Sequence, residues 1–152
     1  MFINATVYSD TSGSDTVCLV SDTLAIEWNY RGADVTSYNI SYAVKEKGET
    51  SFGSWITLSS QTGRYLTTPI PDGGGSIIPA PGAVYKFRIQ AVYSGEIFDS
   101  VETNEIKIGG VSNVYTDGQW KQGSYTWVYA NGSWQMARLI QVYHNGTWNN
   151  YS

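Results

Sequence analysis

The clearest strand signal in the sequence is the stretch Val84-Tyr85-Lys86-Phe87-Arg88-Ile89-Gln90-Ala91-Val92-Tyr93. Every second residue from Tyr85 to Ala91 is apolar, and the three residues between them are charged or carry an amide. Successive side chains of a strand point to opposite faces of a sheet, so this alternation predicts a strand with one buried face.

Shorter segments of the same kind lie on both sides of this stretch. With it they make seven predicted strands, in residues 2–8, 24–28, 38–44, 55–58, 63–67, 84–93 and 100–108. Residues 69–82 contain all four prolines and a triple glycine, which predicts a long surface loop. No segment shows helical periodicity over ten residues. Short strands separated by turn signals predict an all-β sandwich.

Four of these strands carry a characteristic set of residues. They are Trp28, Tyr38-x-Ile40-x-Tyr42, Tyr85-x-Phe87-Arg88-Ile89-x-Ala91-Val92, and Ser100-x-x-x-x-Asn104-x-Ile106. Over residues 1–109 this set resembles a fibronectin type III domain. The resemblance implies structural roles for Trp28 and Tyr85. Tyr85 would form the tyrosine corner, in which the hydroxyl bonds to upstream backbone and fixes the loop between the sheets. The sequence departs from the family just before Tyr85, where Ile77-Ile78-Pro79-Ala80-Pro81-Gly82 lies on a longer loop.

After Gly109-Gly110 the sequence repeats a pattern of the form Val-Tyr-x-Asp/Asn-Gly-x-Trp. The repeats begin at Val114, Val128 and Val142, a spacing of 14 residues each time. Asp-Gly and Asn-Gly favour the type I′ turn of a two-residue hairpin loop. Residues 111–152 are therefore predicted to form three small antiparallel hairpins. Each hairpin would place a Tyr opposite a Trp; the pairs are Tyr115 with Trp120, Tyr129 with Trp134, and Tyr143 with Trp148.

These six aromatic residues allow two interpretations. They can form the core of a hairpin array or an interface with another chain, or they can form an exposed platform that stacks sugars. The Val-Tyr-x-Asn-Gly-x-Trp repeat resembles the C-terminal ends of bacteriophage virion structural proteins, a group that also uses fibronectin type III-like domains. The resemblance implies a role in a virus particle.

The sequence contains no pattern typical of a catalytic or metal site. His144 is the single histidine and has no nucleophile motif beside it, and the acidic residues are scattered. The oxygen-rich segment 10–15 lacks the EF-hand pattern and is interpreted as a polar loop. Cys18 is the single cysteine, which excludes an internal disulfide and favours a small buried apolar role. The sequence predicts a protein that is not an enzyme and has no cofactor or metal.

Charge and hydropathy exclude two classes of partner. The net charge is −4 and no cluster of Lys or Arg exists, so nucleic acid is not an expected partner. Residues 1–6 do not resemble a signal peptide, and no apolar run reaches the roughly 18 residues that cross a membrane. The chain is therefore expected to fold in a cytosol without membrane insertion.

These observations lead to one expectation about function and one alternative. The expected function is a non-catalytic accessory structural protein of a phage virion, assembled in the host cytoplasm. It would be a head decoration, collar or tail-surface component that docks on the particle and presents a β domain outward. Its partners would be other virion proteins or copies of itself, with a host-surface glycan as a further partner. The alternative is a carbohydrate-binding or adhesion module of a bacterial surface protein.

Overall fold

The structure is a computed structural model that describes residues 1–72, 79–109, 112–116, 119–123, 127–130, 132–136, 140–144 and 147–151. From residue 112 onward the description is of the backbone, with side-chain exposure only at residues 132 and 133. Every regular element in these ranges is a β-strand, which confirms the predicted all-β class. The chain forms two compact units, Met1–Ile108 and Gly109–Ser152.

The first unit is a sandwich of two sheets. Its described strands are β1 (Phe2–Ser9), β2 (Val17–Cys18), β3 (Thr23–Tyr30), β4 (Ser37–Lys45), β5 (Ile56–Gln61), β6 (Tyr65–Pro69), β7 (Val84–Tyr93), β8 (Glu96–Glu102) and β9 (Ile106–Ile108). One sheet has three strands in the order β1-β3-β6, and the other has the order β2-β9-β7-β4-β5, with β8 paired to β7. The pairs are antiparallel, except that β2 and β9 run parallel.

The core fills the space between the two sheets. Along β7 the predicted inward residues are fully buried, while the residues between them are half-buried. The opposite sheet contributes Leu24, Ile26 and Trp28 from β3. Near the start of the chain, Phe2 and Tyr30 pack edge to face with ring centres 5.1 Å apart. Burying these side chains is the main stabilising contribution to the sandwich, at roughly 1.5–3 kcal/mol for each large apolar residue.

The predicted strands are found, with differences in number and extent. The strongest prediction, β7, has the expected bounds, and β5 and β6 lie at sheet edges. Nine strands are described in this unit where seven were predicted. The additional strand β2 has two residues and pairs with β9, which lies far along the chain.

The prediction of one last strand over residues 100–108 is wrong. The strand begins earlier, at Glu96, stops at Glu102 and resumes at Ile106 as β9. At the break, the Thr103 N–H donates to the Phe87 carbonyl, and the Thr103 hydroxyl accepts from the Phe87 N–H at 3.0 Å. The pairing with β7 is thus continued partly by a side chain.

Asn104 explains why the chain leaves the β7 ladder at this point. Its carboxamide oxygen accepts from the Val7 N–H at 2.9 Å, and its amide nitrogen donates to the Val7 carbonyl at 2.9 Å. The same nitrogen donates to the Asp15 carbonyl at 2.7 Å. Because β1 is an edge strand of the other sheet, Asn104 satisfies backbone groups that would otherwise lack a partner. The break therefore joins the two sheets.

The second unit contains three two-stranded sheets in its described residues. They are β10 (Ser112–Thr116) with β11 (Gln119–Gly123), β12 (Trp127–Ala130) with β13 (Ser133–Met136), and β14 (Ile140–His144) with β15 (Thr147–Tyr151). The predicted register is confirmed: Tyr115 lies opposite Trp120, Tyr129 opposite Trp134, and Tyr143 opposite Trp148. Gly132 has a φ of 80°, the left-handed conformation that the second position of a type I′ turn requires.

Candidate functional site

The six aromatic residues of the repeat form three cross-strand Tyr–Trp pairs on the backbone ladders. Residues directly opposite on an antiparallel ladder have Cβ atoms about 4.5–5.5 Å apart, so each Tyr is close to its Trp along the backbone. The faces that these side chains present lie outside the description. Their role in an interface or in ligand stacking therefore stays a prediction.

Trp28 belongs to the core of the sandwich. It is 2% exposed and packs edge to face on Tyr38, with ring centres 5.4 Å apart. Its indole N–H is buried and has no hydrogen-bond partner among the described residues. This surrounding is that of a packing residue and not of a ligand-stacking surface.

Tyr85 is fully buried and ties the proline-rich loop to β7. Its hydroxyl donates to the Pro71 carbonyl at 3.0 Å, which is the bond to upstream backbone that the resemblance implies. Tyr42 on the neighbouring strand stacks with Tyr85 at 6.3 Å between ring centres, and its hydroxyl donates to the Asp72 carbonyl. Burial, and next the nearby Tyr42, raise the pKa of Tyr85 to about 12. Two adjacent tyrosines thus hold one end of the loop.

The outer face of the six-stranded sheet carries a cluster that the sequence did not predict as a site. Three cations lie against two half-buried aromatic rings. Lys86 Nζ lies 4.6 Å from the centre of the Phe52 ring and 5.2 Å from that of Trp55. Lys45 Nζ lies 5.0 Å from the Phe52 ring, and Arg88 Cζ lies 4.6 Å from the Trp55 ring. Each contact of this kind contributes about 0.5–2 kcal/mol, depending on its exposure to water.

Among the described residues, one of the three cations forms an ion pair with a carboxylate. Glu102 forms an ion pair with Lys86 at 3.0 Å. Glu102 is also opposite Arg88 on the ladder, yet no carboxylate of the described residues pairs with the Arg88 guanidinium. Within the same part of the chain, Arg88 Nε and the Ser41 hydroxyl are buried without a hydrogen bond. Ser41 and Arg88 are opposite each other on β4 and β7. The guanidinium is thus fixed by a ring and lacks an anionic partner.

A second row on the same face has hydrogen-bonding groups without charge. Asn39 on β4 is opposite Ser60 on β5 and Gln90 on β7, and Gln90 is opposite Ser100 on β8. Asn39 and Gln90 are half-buried, and each lies between inward, buried residues of its strand, so both point outward. No hydrogen bond of either amide is found within the described part of the chain. We call the basic cluster and this row together the outer-face surface, defined by Lys45, Phe52, Trp55, Lys86, Arg88, Asn39, Ser60, Gln90 and Ser100.

The outer-face surface has a partial signal in the sequence. The alternation of β7 already placed Lys86, Arg88 and Gln90 together on its outward face. The alternation gives no information about Phe52 and Trp55, which precede β5. The Gly53 N–H between them bonds to the Val44 carbonyl at 2.9 Å and holds this segment next to β4. Such a contact is set by the tertiary structure and not by a local pattern.

Three further observations concern metal ligands, the single cysteine and membrane-spanning helices. Within the described ranges no group of three or more His, Cys, Asp or Glu is placed to hold a metal ion. Cys18 is buried, as predicted; burial, and next the charge of Asp22, raise the pKa of its thiol to about 12. In the same ranges no helix has the length and apolar composition needed to cross a membrane.

Comparison of the chain with family models, with curated proteins and with solved structures finds no match.

Proposed function

We propose that this chain is a non-catalytic accessory structural protein of a phage virion. Residues 111–152 dock on the particle or join copies of the chain. The β-sandwich of residues 1–109 is presented outward. Its position is a head decoration, collar or tail-surface site.

The observation that carries the proposal is the organisation of the repeat. Its described strands form three separate two-stranded sheets. An isolated two-stranded hairpin is marginally stable in water, and stability usually needs more strands or packing against another element. Each hairpin carries a cross-strand Tyr–Trp pair that provides a large apolar area. A repeat of this form is well suited to completing its core against a partner.

The sandwich supports the outward-facing part of the proposal. Its core is continuous, and its strands bury large side chains from both sheets. A module with its own core can project from a particle while the other unit makes the contact.

The proposal is tested on particles of the phage that encodes the chain. We expect mass spectrometry of purified particles to find the chain as a stoichiometric component. Particles produced without the chain should bind the added full-length protein in a sedimentation assay, and residues 1–109 alone should stay in the supernatant. The bacterial surface alternative predicts the opposite distribution, with the chain in the cell-envelope fraction and absent from particles.

A further inference from the structure

We propose that the outer-face surface binds an acidic polysaccharide. Arg88 and Lys86 hold the anionic group of the sugar, a carboxylate or a sulfate. Asn39 and Gln90 hold its hydroxyls. This inference does not depend on a place in a virion, because it concerns a surface of the sandwich alone.

The local charge is the reason to expect an anionic ligand. The whole chain has a net charge of −4, yet Lys45, Lys86 and Arg88 lie against the same two rings, and among the described residues the one ion pair they form is that of Lys86 with Glu102. A positive region attracts anions and raises their local concentration, even on a protein whose net charge is negative. Charge complementarity therefore selects an anion as the occupant.

The state of Arg88 is the reason to expect an oxyanion. A guanidinium presents five N–H donors in a planar fork that matches carboxylate and similar oxyanions, and these charge-assisted bonds are stronger than neutral ones. The contact with Trp55, with Arg88 Cζ 4.6 Å from the ring centre, restricts the Arg88 side chain before a ligand arrives. No acid in the described ranges uses those donors. The Arg88 guanidinium is held against a ring and has no ion-pair partner among the described residues.

The second row is the reason to expect a sugar and not an acidic peptide. Asn39 and Gln90 each offer both donors and an acceptor, and Ser60 and Ser100 add hydroxyls across neighbouring strands about 4.8 Å apart. Sugar hydroxyls both donate and accept, so an uncharged row of this kind suits them. An acidic peptide could pair with the cations but has no ring of hydroxyls to match the uncharged row. A nucleic acid would require a longer track of cations than three.

The experiment measures binding of the full-length protein to four soluble polymers by isothermal titration calorimetry. Dextran sulfate carries sulfate, alginate carries carboxylate, dextran is the neutral control, and polyglutamate is the acidic peptide control. We expect binding to dextran sulfate, to alginate or to both, with an affinity that falls as NaCl is raised. The two acidic sugars identify which oxyanion is preferred. Binding to neither acidic sugar overturns the proposal, as does equal affinity for dextran or for polyglutamate.

Two variants locate the site, with a matched control. Arg88→Gln removes the guanidinium and its positive charge. It should weaken binding about tenfold or more, since a charge-assisted bond is lost. Arg64→Gln removes the same charge from an exposed position before β6, on the other sheet, and should leave the affinity unchanged. An equal loss in both variants would mean that only the total charge matters, and would overturn the assignment.

A third variant tests the sugar-binding row without touching the cations. The double variant Asn39→Ala, Gln90→Ala should weaken binding severalfold while the dependence on NaCl stays the same. Because neither residue packs in the core, this variant remains informative if Arg88→Gln fails to fold. Thermal melts of all variants accompany the titrations. Unchanged affinity in a folded double variant would refute the role of the row and leave simple ion exchange.

Discussion

Tyr85 gives the sharpest prediction at the scale of a single residue. Tyr85→Phe keeps the ring but removes the donor to Pro71, so a part-buried carbonyl loses its partner. We expect the free energy of unfolding to fall by about 1–3 kcal/mol. The measurement is a denaturant titration, with Tyr93→Phe on the same strand as the control because Tyr93 is 52% exposed. A loss of only a few tenths for Tyr85→Phe would show that the hydroxyl does not hold the loop.

Two buried groups, the Cys18 thiol and the Tyr85 phenol, make the stability of the sandwich fall at alkaline pH. The pKa of Cys18 rises from 9.0 and that of Tyr85 from 10.0, each to about 12. The unfolded chain therefore releases these protons at lower pH than the folded chain does. The stabilising contribution is complete below about pH 9 and is lost progressively up to about pH 12. The urea concentration at the midpoint of unfolding should be highest at pH 8, lower at pH 10 and lowest at pH 11.

The matched variant for this pH effect is Cys18→Ala. It removes one of the two groups, so the fall in the urea midpoint should be shallower and should begin closer to pH 10. A midpoint that does not change between pH 8 and 11 in the original protein would contradict the shifted pKa values.

At the scale of an element, the interrupted last strand makes Asn104 a joint between the sheets. Asn104→Ala leaves the Val7 N–H and carbonyl without their partner. We expect a loss of about 1–3 kcal/mol in the free energy of unfolding. Glu105→Ala, at the exposed neighbouring position, is the control and should have little effect. Equal stability of the two variants would mean that water replaces the Asn104 amide.

The sequence predicted elements where the pattern is local. Strand β7 was found with its bounds because the alternation runs without interruption over the seven residues from Tyr85 to Ala91. The hairpin registers were found because Asx-Gly turns fix which residues face each other. Strand β2 was missed because its two residues form a strand only by pairing with β9. The break in the last strand was missed because it depends on Asn104 reaching Val7 in the other sheet.

The same limit applies to the candidate sites. The alternation predicted the outward residues of β7, and the resemblance to fibronectin type III domains implied the role of Tyr85. The cluster around Arg88 needs Trp55, which comes from a different segment and meets Arg88 only in the folded sheet. No periodicity connects residues 55 and 88. Sites of this kind become visible only when the register between strands is known.

At the scale of the whole molecule, residues 1–109 should fold without the repeat. The core of the sandwich is made by residues of the first unit. A truncation that ends at Gly110 should therefore melt cooperatively, as followed by circular dichroism. The prediction fails if the truncated protein is unfolded under conditions in which the full chain is folded.

The repeat should mediate self-association. Six aromatic residues in three small hairpins provide more apolar area than soluble monomers usually leave exposed. In sedimentation velocity, the full chain should associate with rising concentration while the truncation stays monomeric. Trp134→Ala, in the central repeat, should weaken association most, and Ser133→Ala, at the exposed position beside it, is the control. A full chain that stays monomeric at high concentration would show that the hairpins need no partner.

The bond between Val7 and Asn104 joins residues 97 positions apart, so the sandwich cannot close until nearly all of it has been synthesised. Ribosomes add roughly 5–20 residues per second, so the 44 residues of the second unit take roughly 2–9 s more. Sheets built from distant strands fold in milliseconds to seconds. The strands of the sandwich leave the ribosome before the repeat does, so they can begin to pair before the aromatic residues of the repeat are free to compete for them.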